Sequence, residues 1–178
     1  DMKIAFVGPA AVGKDVASDY IAKKFNLAHI PTGDIVRDYV TKNNLGTLDR
    51  ANVRIIAKKM RDEQGGDILV KIALENHPDN IILSGLRAVD EVRTLKNLGG
   101  KIVSLNAPME KRYEWAKIRG RIGDHISFED FKVMENKERE DKDKNSQNVA
   151  AVMAMADFEI MNDGNLDSLF QKLDSLAF

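Results

Sequence analysis

Cysteine is absent from the 178-residue sequence. Disulfides, thiolate metal sites and cysteine nucleophiles are excluded with it, and a reducing, cytoplasmic setting is expected. Long apolar runs are missing too. None approaches the ~18 residues that suggest a membrane span, so no membrane partner is expected. Asp1-Met2-Lys3 leads at once into a strand-like run, and no secretory leader is expected. Neither sign of charge is in excess: 27 basic side chains stand against 28 acidic ones, a formal net charge of -1. That balance argues against a nucleic-acid partner. The histidines, His29, His77 and His125, are widely spaced and show no metal-ligand pattern. They read as structural or solvent-facing. No internal repeat or linker divides the chain, so residues 1–178 are expected to form one domain.

What is present is an alternation of short apolar runs and helical periods. Lys3 to Val7 is an apolar run that stops at Gly8-Pro9, as a buried strand does. From Lys14 to Phe25 apolar residues recur at helical spacing. Residues 28–30, 80–83, 101–105 and 157–161 read as further strands. Residues 34–76 read as helical, with breaks near 43–48 and 65–66. Further helices are expected over 89–98, 109–118, 127 to 140, 149–156 and 166–176. Ser127 with Asp130 suggests a capped helix start, and Glu91 with Arg93 reads as an exposed helix pair. Residues 138–148 are dense in charge and amide without apolar period. Strands alternating with helices imply an α/β fold of three layers, a five-stranded parallel sheet with helices on both faces.

One motif carries chemistry directly. Gly8-Pro9-Ala10-Ala11-Val12-Gly13-Lys14 matches the phosphate-loop pattern of glycine, four residues, glycine and lysine. Small residues let successive backbone N–H groups turn around phosphate oxygens. The helix that follows offers its free N–H groups and positive dipole end to the same anion. Lys14 adds a point charge over the outer phosphates. Gly8, Ala10, Ala11, Val12, Gly13, Lys14 and Asp15 are the candidate ATP-binding residues. Asp15 stands where the pattern has Ser or Thr. Its carboxylate is a candidate magnesium ligand, and equally an acid placed to favour the helix dipole; the two readings are compatible.

Pro31-Thr32-Gly33-Asp34-Ile35-Val36-Arg37 follows the second strand, and Ser84-Gly85-Leu86-Arg87 ends the third. With these segments the chain resembles the adenylate-kinase-like nucleoside monophosphate kinases, and near Asn162-Asp163-Gly164 also the dephospho-coenzyme A kinases. The resemblance spans nearly the whole chain and implies a P-loop NTPase fold with a helical acceptor arm (about 34–78) and a lid (about 119–127). It implies that Thr32 and Gly33 line an acceptor pocket and that Arg37 and Arg87, beside Gly85, bind the acceptor phosphate. Guanidinium suits that task through its bidentate fork. Ser84 occupies the place of a family Asp that orders magnesium-bound water. Asp15 and Ser84 therefore read as an exchange between two loops, and both are candidate metal ligands.

The resemblance also implies that Arg119 and Arg121 are lid arginines that act with Lys14 on the moving phosphoryl group. Arg112 is grouped with them, Gly120 and Gly123 would give the lid mobility, and Asp124 would pair with a lid arginine. Asn162 and Gly164 would sit beside the adenine of ATP. The expected activity is ATP- and Mg2+-dependent phosphorylation of a nucleoside or deoxynucleoside monophosphate by a monomer or homodimer. Phosphorylation of dephospho-coenzyme A, or a regulatory nucleotide-binding ATPase module, are the alternatives.

Overall fold

The computed structural model describes residues 1–120, 125–139 and 147–178. Five strands form one sheet: β1 (Lys3–Val7), β2 (Ala28–Pro31), β3 (Ile81–Ser84), β4 (Lys101–Asn106) and β5 (Phe158–Met161). Their order is β2-β3-β1-β4-β5, and every pairing is parallel. β1 lies at the centre, with Ala5 opposite Leu83 on one side and Ile102 on the other. Parallel neighbours need crossovers, and helices supply them.

The period of two in β1 divides the core. Ile4 and Phe6 face one layer with Val103, Leu105, Ile21, Leu169 and Leu173. Ala5 and Val7 face the other with Leu83, Ile102, Val70, Val92 and Leu95. α1 (Lys14–Phe25) and α9 (Leu166–Asp174) cover the first face. α4 (Ile68–Asn76), α5 (Val89–Asn97) and α8 (Val149–Ala154) cover the second. Between β2 and β3, α2 (Thr32–Asn43), α3 (Arg50–Gln64) and α4 bury their own small core of Val36, Val40, Ile56, Met60 and Leu69. α6 (Met109–Arg119) and α7 (Phe128–Arg139) follow β4.

Three local expectations change. β2 runs through Pro31, because an edge strand tolerates a residue without N–H, and α2 begins directly at Thr32. The helix expected over 149–156 ends at Ala154, and β5 begins only at Phe158. Asp157 lies between them, its carboxylate accepting from Ile102 N at 2.9 Å and from Lys96 at 3.1 Å. Ser127 lies just outside α7, where its Oγ accepts from Asp130 N at 3.0 Å.

The larger change concerns Glu91, which is not exposed. It is fully buried. Its Oε1 accepts from the backbone N–H groups of Arg87 and Ala88, each at 2.9 Å, so it closes the start of α5. Both oxygens also lie 3.4 Å from Nη2 of the buried Arg61. Arg93 pairs instead with Asp90 at the surface. Its charge hid it, although its spacing from Ala88 and Leu95 places it on the buried face of α5.

Removing one partner of a buried ion pair leaves the other charge uncompensated. Glu91→Ala is expected to lower stability by about 3–5 kcal/mol, and Arg93→Ala to change it by less than about 0.5 kcal/mol. Urea unfolding of both variants checks this, and similar midpoints for the two would contradict the buried role.

Candidate functional site

The carboxyl ends of β1 and β3 open into a cavity of about 980 Å³. That edge is where open α/β sheets bind ligands. Its floor is the loop from β1 to α1. Gly8 has φ 149°, and a Cβ there would lie 2.3 Å from the carbonyl oxygen of Leu105. Only glycine allows that approach. Ala11 (φ 60°) and Gly13 (φ 100°) are left-handed and curl the chain into the start of α1. The Lys14 ammonium folds back over this curl and donates to the carbonyls of Gly8 at 2.9 Å and Pro9 at 2.8 Å. Asn162, just after β5, donates from Nδ2 to Val12 O at 2.9 Å and ties the far loop to the same curl. Gly164 lines the cavity beside it.

Asp15 and Ser84 meet. The Ser84 hydroxyl donates to Asp15 Oδ1 at 2.9 Å, although the residues are 69 positions apart. His29, in β2, reaches the same spot. Its Nε2 lies 2.9 Å from Ser84 Oγ, and its Nδ1 lies 2.7 Å from Asp19 Oδ1. A carboxylate only accepts, so Nδ1 carries the hydrogen toward Asp19. His29 touches Ser84, which lines the cavity, but is not itself among the lining residues. Its spacing from His77 and His125 held no hint of this, since its partners come from α1 and β3.

Thr32 Oγ1 hydrogen bonds to Ser84 O at 3.1 Å and Gly85 O at 2.9 Å, joining α2 to the end of β3. Gly85 (φ 91°) would set a Cβ 3.0 Å from that hydroxyl. Arg37 stands one turn along α2, donating to Asp34 Oδ1 at 2.9 Å, and a Cβ on Gly33 would press on its guanidinium at 2.9 Å. Arg37, Arg87 and Arg119 all line the cavity, as do Thr32, Gly33, Gly85 and Ala10 through Asp15. Arg121, Gly123 and Asp124 lie outside the described residues, as does much of the 138–148 segment.

Arg112 does not join them. It is buried behind the loop, where it donates to Ala107 O at 2.9 Å and pairs with Glu135. Arg50 and Arg54, both on α3, and Glu138 on α7 line the cavity instead. The i,i+4 spacing of the two arginines, which places both on one face of a helix, was the signal available for them. Glu138 sits in a stretch without period and offered none.

The charges shift one another. Burial holds the Lys14 ammonium well below the ordinary lysine range, and Arg87 adds to the effect. Burial pushes the Glu138 carboxyl up, but Arg50, Arg87 and Lys14 outweigh it and hold it below the ordinary range. A polyphosphate suits this set: curled backbone, a desolvated lysine and guanidinium groups around one space. Asp15 and Ser84 offer two hard oxygen donors, which fits Mg2+ that takes its other ligands from phosphate and water. Among the described residues no group of three or more His, Asp or Glu could hold a metal by itself.

This sheet order, with a glycine-built loop between β1 and α1 facing the cavity, defines a P-loop kinase-like protein. The chain belongs to the AAA domain family (AAA_18), whose model matches residues 4–143, and to the UPF0200 proteins. The UPF0200 protein of Thermococcus onnurineus is 32% identical, over 80% of each chain. That of Thermococcus gammatolerans is 30% identical, over 99% of this chain and 94% of its own. The UPF0200/UPF0201 protein of Archaeoglobus fulgidus is 29% identical over 96% of this chain, which spans only 53% of that relative's length. Among solved structures, shikimate kinase from Bacteroides thetaiotaomicron superposes with a TM-score of 0.62 at 16% identity, covering 97% of this chain and 94% of that one. Shikimate kinase from Aquifex aeolicus gives 0.55 at 13%, covering 97% and 93%. At such identities the likeness is one of fold.

A lysine whose folded pKa is depressed binds fewer protons in the native state than in the unfolded chain. Stability then rises with pH until the unfolded lysine also deprotonates, at about pH 10.4. The stability of the native chain relative to Lys14→Met is therefore expected to increase as pH rises toward about pH 10. Urea unfolding of both at several pH values measures this, and a flat or falling difference contradicts the depressed lysine.

Proposed function

We propose that this chain is an ATP- and Mg2+-dependent phosphotransferase whose acceptor is a nucleoside or deoxynucleoside monophosphate. One observation carries the reading: the phosphate loop with Lys14 forms one wall of the cavity, and Arg37 and Arg87 line the same space. Donor and acceptor anions would thus meet in one enclosure, as in-line transfer requires.

In this reading the amides of residues 8–14 and the Lys14 ammonium hold the β- and γ-phosphates of ATP. Lys14 exchanges its two carbonyl partners for phosphate oxygens. Asp15 and Ser84 hold Mg2+, which when bound neutralises phosphate charge. His29 orients the Ser84 hydroxyl. Arg37 and Arg87 grip the acceptor phosphate, with Thr32, Gly33 and Gly85 shaping the pocket beside them. An acceptor phosphate oxygen attacks the γ-phosphorus, the bond to the β,γ-bridging oxygen breaks, and ADP leaves. Arg119 at the end of α6, with Arg121, meets the charge on the moving group. Asn162 and Gly164 lie by the donor base. No covalent intermediate on the protein is needed.

A hydroxyl acceptor, as in dephospho-coenzyme A, is the second reading, and Asp34 on the cavity wall is the group that would take the hydroxyl proton. A regulatory ATPase module would bind ATP with no acceptor-stimulated turnover. ADP release measured across a panel of monophosphates and hydroxyl acceptors separates the three. A monophosphate is expected to stimulate turnover most; no stimulation by any acceptor overturns the proposal. Lys14→Ala is expected to lower kcat by at least about 100-fold. Asp15→Asn is expected to raise the Mg2+ concentration for half-maximal turnover at least about tenfold while ATP binding changes little. Equal loss of both would remove Asp15 from the metal.

A further inference from the structure

Glu138 occupies a place that suits a ligand better than itself. It lies in the last turn of α7, and its side chain is only 3% exposed. Arg50, at the start of α3, donates from Nε to Oε1 at 2.8 Å and pairs through Nη2 with Oε2. Arg87 holds Nη1 3.7 Å from Oε2, an ion pair without a hydrogen bond. Arg54, one turn along α3 from Arg50, lines the same space. Among the described residues Arg54 Nε and Arg87 Nη1 are buried with no hydrogen-bond partner.

The mismatch is one of shape. The carboxylate's lone pairs lie in one plane, and with Arg50 on both oxygens neither Arg54 Nε nor Arg87 Nη1 meets one in hydrogen-bond geometry. Buried guanidinium nitrogens without acceptors are costly. A phosphate group offers three free oxygens in a tetrahedral arrangement and can meet all three arginines at once. Charge points the same way. Among the described residues lining this side of the cavity, Arg37, Arg50, Arg54 and Arg87 stand against Asp34 and Glu138, an excess of two positive charges that a phosphate dianion would cancel.

We propose that Glu138 is a displaceable clasp: a phosphate dianion exchanges with its carboxylate in a cradle of Arg50, Arg54 and Arg87, and the exchange releases α7 from α3. The inference deepens the phosphotransferase reading, since the cradle would seat the acceptor's phosphate. It adds a selection rule: an acceptor must carry a group that outcompetes an internal carboxylate, so neutral and weakly anionic molecules leave the clasp shut.

The test uses inorganic phosphate as probe, titrated by calorimetry into the full chain with excess ADP and Mg2+ to fill the donor half. Glu138→Gln is expected to bind phosphate at least about tenfold tighter than the native chain, and Arg50→Gln at least about tenfold weaker. Equal affinities, or weaker binding by Glu138→Gln, overturn the clasp. A second measurement keeps Glu138 and uses the absence of cysteine. Spin labels on Ile55→Cys in α3 and Val133→Cys in α7, both exposed positions, report the distance between the helices. Saturating phosphate is expected to lengthen it, and an unchanged distance with phosphate bound overturns the proposal. The two readings separate by the ADP arm. A chain that binds no ADP yet shows both phosphate effects keeps the clasp and loses the kinase; one that binds ADP and shows neither loses the clasp alone.

Discussion

The approach of Gly8 to the carbonyl of Leu105 governs how the loop leaves the sheet. Because β1 is central, with β3 and β4 on either side, its chain must leave through a narrow gap between neighbouring strand ends. A side chain at position 8 would push the loop off β4 and carry α1 with it. With the glycine in place, the left-handed turns at Ala11 and Gly13 aim the first helix at the space over the sheet edge. Lys14 is then too short of solvent to stay hydrated, and it takes two backbone carbonyls instead. The desolvated lysine, the exposed amides and the dipole of α1 all follow from that one contact.

Counter-charges reach the arginines in and around this space from several parts of the chain. Asp34 answers Arg37 within α2. Glu138 crosses from α7 to Arg50 and Arg87. Glu91 holds Arg61 while closing the turn that carries Arg87. Glu135 holds Arg112 behind the loop. Apart from Asp34 with Arg37, these pairs bridge separate elements, and as buried ion pairs they fix geometry more than they add net stability. Coupling between the walls follows: a ligand that takes an arginine from its carboxylate loosens the element on which that carboxylate rides.

Much of this was legible in the sequence, and the limits have physical causes. The strand–loop–helix unit at residues 3–25 carries both a period and a motif, so element and chemistry could be read together. The all-parallel sheet followed from the alternation of runs. The segment at 31–37 could be singled out because Thr32, Gly33 and Arg37 are local in sequence, and all three line the cavity. Residues brought in by tertiary structure were not. His29 gains its meaning from Asp19 and Ser84, Glu138 from Arg50, and Glu91 from Arg61. In each case the local charge was that of a solvated surface residue. Arg112 erred in the other direction: it is near Arg119 in sequence, but seven positions along a helix place its side chain behind the loop rather than over it.

On the phosphotransferase reading, Asp15 and Ser84 show why a departure from a motif need not mean a lost site. The loop and the end of β3 converge on one point, and their side chains are in hydrogen-bond contact. At such a point the field depends on which groups are present, and little on which strand supplies each. A carboxylate on the loop and a hydroxyl on the strand give the same charge and the same two oxygens as the reverse arrangement. The exchange does alter the surroundings. The acid now lies in the first turn of α1, where the helix dipole stabilises its ionised form. The hydroxyl lies within reach of His29, whose Nε2 is 2.9 Å from it. On the phosphotransferase reading, His29, itself held by Asp19, fixes the side on which Ser84 presents its oxygen.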